Sequence, residues 1–245
     1  MTPTLRERAI YLFCIMAAML VGYFAPQNVV CAVIATGLSY IGVFFHELGH
    51  TLFYWLYGYV AVPTFDFASG GGMTYQFGAR SWLLQIAVWA GLGALVALAH
   101  RRAPVLRAPA AVFALFVFVT SLLALREDVI VFMGHGSEAA LAAFLLCRGY
   151  YNIWLSRGYE RWINVFIGAY MLGSVLTLVW ALMFNPSFAA DYEMQKGAHR
   201  MGDFDRLVDD SATSMRTIGW LFIAYALACV AVLKMWISRH LRAQG

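Results

Sequence analysis

The chain has 245 residues, 62% of them hydrophobic and 12% charged, with a mean hydropathy of +0.70 and a formal net charge of +4. Such an apolar excess excludes a soluble globular domain and implies a polytopic membrane protein, with room for one membrane domain over residues 1–245 and little for a separate soluble one. The basic residues gather in short loops and near the C-terminus, a pattern of membrane topology rather than of nucleic-acid binding.

Apolar stretches long enough to span lie at about 9–25, 29–60, 81–99, 108–125, 137–155, 162–184 and 216–237, so the expected fold class is all-α with about seven transmembrane helices. Arg6 and Arg8 precede the first stretch as they would in a signal peptide. No convincing small-residue cleavage site follows, so a retained first membrane helix is expected. The second stretch is too long for one straight crossing, and is either tilted or broken near residues 37–42. The positive-inside rule gives conflicting signals. Arg6 and Arg8 favour a cytoplasmic N-terminus, whereas the basic turn at 100–107 and the tail with Arg239 and Arg242 favour the opposite. A break in the second stretch would reconcile them. Cys14, Cys31, Cys147 and Cys229 each fall in an apolar stretch, with no CxxC spacing, and read as small buried hydrophobes.

The second stretch contains His46-Glu47-Leu48-Gly49-His50. With six His and six Glu in the chain, an HExxH is expected by chance roughly 0.004 times, so the motif is a specific signal. On a helix it sets two imidazoles on one face, one turn apart, as a zinc pair requires, with Glu47 placed to take a proton from a metal-bound water. Ionisable groups in hydrocarbon are costly, which marks the motif as a functional site in its own right.

Residues 61–80 follow directly. Phe65 and Phe67, then Met73, Tyr75 and Phe77, alternate with the period of a strand. Gly70, Gly71 and Gly72 stand between them as a turn. A short membrane-associated β-hairpin beside the HExxH helix is expected, with a plain interfacial loop as the alternative. The glycines are candidate substrate-binding positions, where backbone approaches closely, or only the turn itself. Residues 185–215 form the one sizeable polar, extramembrane segment. A short surface helix is expected over 203–210, with a solvated loop lacking chemistry as the default reading.

A catalytic zinc site has three protein ligands and an open position, so a third ligand must come from elsewhere. The third and fourth stretches run out and back, returning the chain to the exit face of the second. The search therefore falls on residues 126–138. Glu138 opens the fifth apolar run and is the leading candidate. His135, between glycines in an expected loop, is the alternative, and Asp128 is a third. Asn152 lies fourteen residues after Glu138, on the same helix face, and is a candidate for lining a substrate path, or for bonding a neighbouring helix.

HELGH in a membrane helix, the Gly-rich stretch about twenty residues later and an acidic residue on a later membrane helix resemble the site-2 protease family, in particular its compact bacterial, peptidase M50-like members. The resemblance covers roughly residues 29–155, the metalloprotease-like core. It implies an intramembrane zinc metalloprotease of a bacterial cytoplasmic membrane, in which His46 and His50 bind Zn2+ and Glu47 activates water to cut a membrane protein or peptide. The family's third ligand is usually Asp. Here the similar stretch is Gly136-Ser137-Glu138-Ala139. The seven-span CAAX-type zinc proteases share HExxH with a Glu ligand, but the Gly-rich stretch after the motif fits the site-2 group better. A protease-like scaffold or partner subunit without catalysis, and a metal transporter, are the competing functions.

Overall fold

The computed structural model describes residues 4–66, 71–102, 104–123, 125–155, 157–195 and 202–244. The protein is mostly helical: α1 (Leu5–Phe24), α2 (Val29–Leu56), β1 (Val60–Asp66), β2 (Gly71–Phe77), α3 (Trp82–Arg102), α4 (Pro104–Leu122), α5 (Arg126–Tyr151), α6 (Glu160–Phe184), α7 (Pro186–Gln195), α8 (Asp203–Ser211) and α9 (Met215–Gln244). Six of these, α1, α2, α3, α5, α6 and α9, are long and apolar enough to cross a membrane. A shorter apolar helix over Leu106–Leu122 lies within α4.

Local chemistry sets the boundaries. Thr4 and Glu7 close a reciprocal capping box on α1, with the Thr4 backbone N–H donating to Glu7 Oε2 at 2.7 Å and the Glu7 N–H to Thr4 Oγ1 at 3.2 Å. Asn28 caps α2 by accepting from the backbone N–H groups of Val30 and Cys31. From there α2 runs unbroken for 28 residues, so the expected break near 37–42 is not formed. At 1.5 Å per residue its length is about 42 Å, more than the ~30 Å hydrocarbon core, which leaves tilt as the means of fitting it. Gly58, at φ +79°, turns the chain into β1. A Cβ there would lie 2.9 Å from the Ser81 carbonyl, so glycine is required both for the left-handed backbone and for the close approach.

β1 and β2 pair antiparallel, from Val60 opposite Phe77 to Asp66 opposite Gly71. The hairpin expected beside the HExxH helix is present, with one adjustment. Gly71 and Gly72 belong to β2 rather than to the turn, because Gly72 pairs with Phe65. Gly70 and Phe67 lie outside the described residues. One face of the hairpin lies along α2: Phe65 stacks on Phe44 at 5.2 Å, and Thr74 bonds Glu47. Ala61 is buried and its carbonyl accepts from Trp55 Nε1 at 2.8 Å. The opposite face presents Val60, Val62, Tyr75 and Phe77, all exposed.

α5 and α6 are the most enclosed spans. The largest core cluster joins α5, α6, α8 and α9 through Val131, Val175, Val179, Phe204, Leu207 and Phe222. A second joins α1, α2, α5 and α6. Buried Arg161 ties three helix ends together. It donates to the carbonyls of Gly149 and Tyr150 at 2.7 and 2.9 Å and pairs with Glu7 at 2.5 Å. Arg80 does similar work at the end of α2, donating to the carbonyls of Tyr57 and Ser121 and to Gln85, whose own amide donates to Leu56. Gln85, a polar residue in an apolar run, is thus part of a helix-end lock.

α5 corrects two expectations. It begins at Arg126, so Glu138 sits in mid-helix instead of opening one, and His135 is helical rather than in a loop. The acids near the helix start are Glu127 and Asp128, where the dipole favours them. Asn152 caps the far end of α5 in a left-handed conformation, φ 53°, about 21 Å along the axis from Glu138. It ends the helix, and is not a mid-helix polar group on a path from Glu138.

Candidate metal centre

HExxH lies on the continuous helix α2, so His46 and His50 share a face and their Nε2 atoms approach to 3.0 Å. That face meets α5 at close range because small residues line the crossing. A Cβ on Gly134 would strike His50 Nε2 and come within 2.7 Å of His46 Cε1, and a Cβ on Gly49 would collide with the Met133 carbonyl and Ser137. The Ser137 hydroxyl donates to the Phe45 carbonyl at 2.6 Å, holding the two helices in register beside the motif.

Each imidazole is fixed by its other nitrogen. His50 Nδ1 is 2.7 Å from the Ile130 carbonyl, and His46 Nδ1 is 2.7 Å from Glu138 Oε1. A carbonyl and a carboxylate can only accept, so both Nδ1 atoms carry protons and both Nε2 atoms keep lone pairs in the neutral rings. Those two lone pairs face one another and the carboxylate of Asp203, whose Oδ2 lies 2.8 Å from His46 Nε2 and 3.1 Å from His50 Nε2. Three acceptors therefore converge with no donor among them. Only a shared cation, whether a proton or a metal ion, relieves that arrangement.

Asp203 comes from the polar segment at 185–215, where the short helix expected over 203–210 is formed as α8. α8 is amphipathic. Phe204 and Leu207, three residues apart, are buried, while Arg206, Asp209 and Asp210 are exposed. A nine-residue helix is marginal alone, and burying one Phe and one Leu contributes about 3–6 kcal/mol toward docking it. The Asp205 carboxylate accepts from the Gly202 N–H at 2.9 Å, which leaves Asp203 free to turn inward. Burial alone would raise the Asp203 carboxyl, but with a proton shared among the cluster the positive charge on the adjacent His46 and His50 outweighs it and holds the group well below the usual carboxylate range.

Among the described residues, two groups could hold a metal ion: His46, His50 and Asp203; and His46, His135 and Glu138. The first has a donor set suited to a tetrahedral ion with one open position. Its donors stand 2.8–3.1 Å apart, against roughly 3.3 Å for ligands about 2.0–2.1 Å from zinc, so outward adjustments of a few tenths of an ångström suffice. In the second, His46 Nδ1 is already committed to Glu138, and His135 Nδ1 stands 3.3 Å from the same oxygen without an aligned hydrogen bond. The expected trio of His46, His50 and Glu138 is thus divided. Glu138 meets His46 on the side away from His50 and Asp203, because a single imidazole cannot turn both nitrogens toward one ion. Asp128, ten residues earlier on α5, belongs to neither group.

Glu47 is buried against the hairpin. Thr74 Oγ1 donates to its Oε2 at 2.8 Å, and a Cβ on Gly72 would lie 2.5 Å from its Cγ. Gly72 therefore serves close approach to Glu47, and Thr74, which sequence reasoning passed over, holds the carboxylate. Asn164 donates to the Glu160 carbonyl within its own helix, away from the centre. The chain matches no family model, no curated protein and no solved structure in the comparisons made.

Proposed function

We propose that this protein is an intramembrane zinc metalloprotease of the site-2 type, with Zn2+ held by His46, His50 and Asp203 and with Glu47 as the general base. The reading rests on one observation above others: two Nε2 lone pairs and a carboxylate converge beside the Glu of an HExxH helix. Asp203 also supplies the residue type that the family resemblance leads one to expect for the third ligand, although from outside residues 29–155.

Zinc in this position supplies Lewis acidity toward a scissile carbonyl and a water molecule. Glu47 takes a proton from the attacking water and passes it to the leaving amine nitrogen. Thr74 keeps the Glu47 carboxylate from rotating away. Glu138 and the Ile130 carbonyl hold both imidazoles with Nε2 inward. The substrate is a membrane protein or peptide unwound near the cut. The two-stranded sheet receives it by strand addition, since each strand has only one partner among the described residues. His46 lies ten residues from the end of α2, about 15 Å, so the chemistry is set within one leaflet's depth of that face.

The test pairs zinc content with cleavage of reconstituted single-span membrane proteins. Glu47→Gln is expected to retain stoichiometric zinc and to lose about 10²–10⁴-fold in cleavage rate. Zinc-loaded wild type that cleaves none of a broad substrate panel would favour a scaffold. Metal flux into vesicles that survives Glu47→Gln would favour transport.

A further inference from the structure

His135 is the second-choice ligand by sequence, yet its place in the fold gives it different work. Its ring lies parallel to Phe204, with centroids 4.9 Å apart and planes 8° apart. Phe204 is the residue after Asp203, is 1% exposed, and also packs against Phe222 of α9 in a T-shaped contact at 5.4 Å. The edge of the His135 system meets His46 at 4.4 Å and 74°. His135 thus stands between the helix that carries the histidine pair and the short helix that delivers the carboxylate.

We propose that His135 is a positioning residue whose ring face, rather than its nitrogens, docks α8 and so sets Asp203 at the metal. The inference rests on the metal-centre reading above. α8 is too short to hold itself, and no span carries Asp203. Its N-terminal residue is located by Phe204, which contacts both His135 and Phe222. His135 Nδ1 has no aligned hydrogen-bond partner. The Glu138 oxygen nearest to it is taken up at 2.7 Å by His46, and the contact that His135 makes to α8 is its ring face. The apolar contact that seats Phe204 is of a size to change the population of docked α8, and with it metal affinity, by about 10–100-fold.

The test is Co2+ and Zn2+ titration of the purified full chain in detergent, reading the cobalt visible spectrum and competition with a chromophoric chelator, with helicity checked by circular dichroism. His135→Phe keeps the stacked face and removes both nitrogens. It is expected to bind within about 3-fold of wild type, with the same cobalt spectrum. His135→Ala and Phe204→Ala are expected to lose about 10–100-fold, although Phe204 offers no ligand atom. If His135→Phe folds and loses the metal as His46→Ala does, His135 is a ligand and the proposal is overturned. It is also overturned if Phe204→Ala binds as wild type does. Should the alanine variants not fold, the His135→Phe titration alone decides. Wild type that binds neither ion overturns the underlying metal-centre reading, an outcome distinct from all of these.

Discussion

Glu138 and Asp203 are both carboxylates within hydrogen-bond distance of His46, and they differ because they face opposite nitrogens. Asp203 competes for the same point in space as the His50 lone pair. Glu138 accepts a hydrogen bond from Nδ1, whose proton must stay in place if Nε2 is to bind a metal. The two substitutions therefore part company. Glu138→Gln is expected to weaken zinc binding by about 10–100-fold while leaving one site that saturates at higher metal concentration, as read by chelator competition. A second residue-scale prediction concerns Glu47, the proposed general base. Thr74→Val removes the hydroxyl that donates to Glu47 at 2.8 Å, and a hydrogen bond to a charged group is worth about 1.5–3 kcal/mol. In the proposed protease, Thr74→Val is expected to lower cleavage roughly 10–100-fold with zinc content unchanged, and Thr74→Ser to restore most of it.

At the scale of elements, the HExxH helix and the hairpin after it were legible, and for the same reason: each has a strong local period. His46 and His50 repeat at one helical turn, and Met73, Tyr75 and Phe77 alternate as a strand does. The start of α5 was not legible. Gly134, His135, Gly136, Ser137 and Glu138 interrupt its apolar run, and hydropathy reads such an interruption as a loop. In three dimensions these residues are polar or small because they meet α2: Gly134 clears the histidine rings, Ser137 bonds Phe45, and Glu138 holds His46. Asp203 was hidden more completely. Its segment is acidic and polar, as a solvated surface is, and the only local sign of a buried face is Phe204 and Leu207 three residues apart. A short helix that docks on the apolar bundle escapes any reading based on spans alone.

Across the whole molecule, the protein is a set of apolar helices around α5 and α6, with the candidate centre where α2, α5 and α8 meet. The unbroken α2 has a topological consequence. If α2 makes one crossing, the connection before it and the chain that leaves its C-terminal end belong to opposite faces of the membrane. In a cysteine-free background, Gln27→Cys and Gln76→Cys are expected to react with an impermeant thiol reagent from opposite sides of sealed vesicles. Labelling of both from the same side would contradict a single crossing by α2. The conflict between the N-terminal arginines and the later basic clusters is therefore not relieved by an extra crossing in this helix.

The central claim is that a carboxylate from a helix outside the candidate spans completes the site begun by HExxH. Zinc stoichiometry of the purified Asp203→Ala protein, measured beside wild type and Glu138→Gln at saturating metal, tests it most directly. The account predicts one zinc per chain for wild type and for Glu138→Gln, and far less than one for Asp203→Ala with helicity preserved. Full zinc in Asp203→Ala, with loss in Glu138→Gln, would contradict it and return the third ligand to α5.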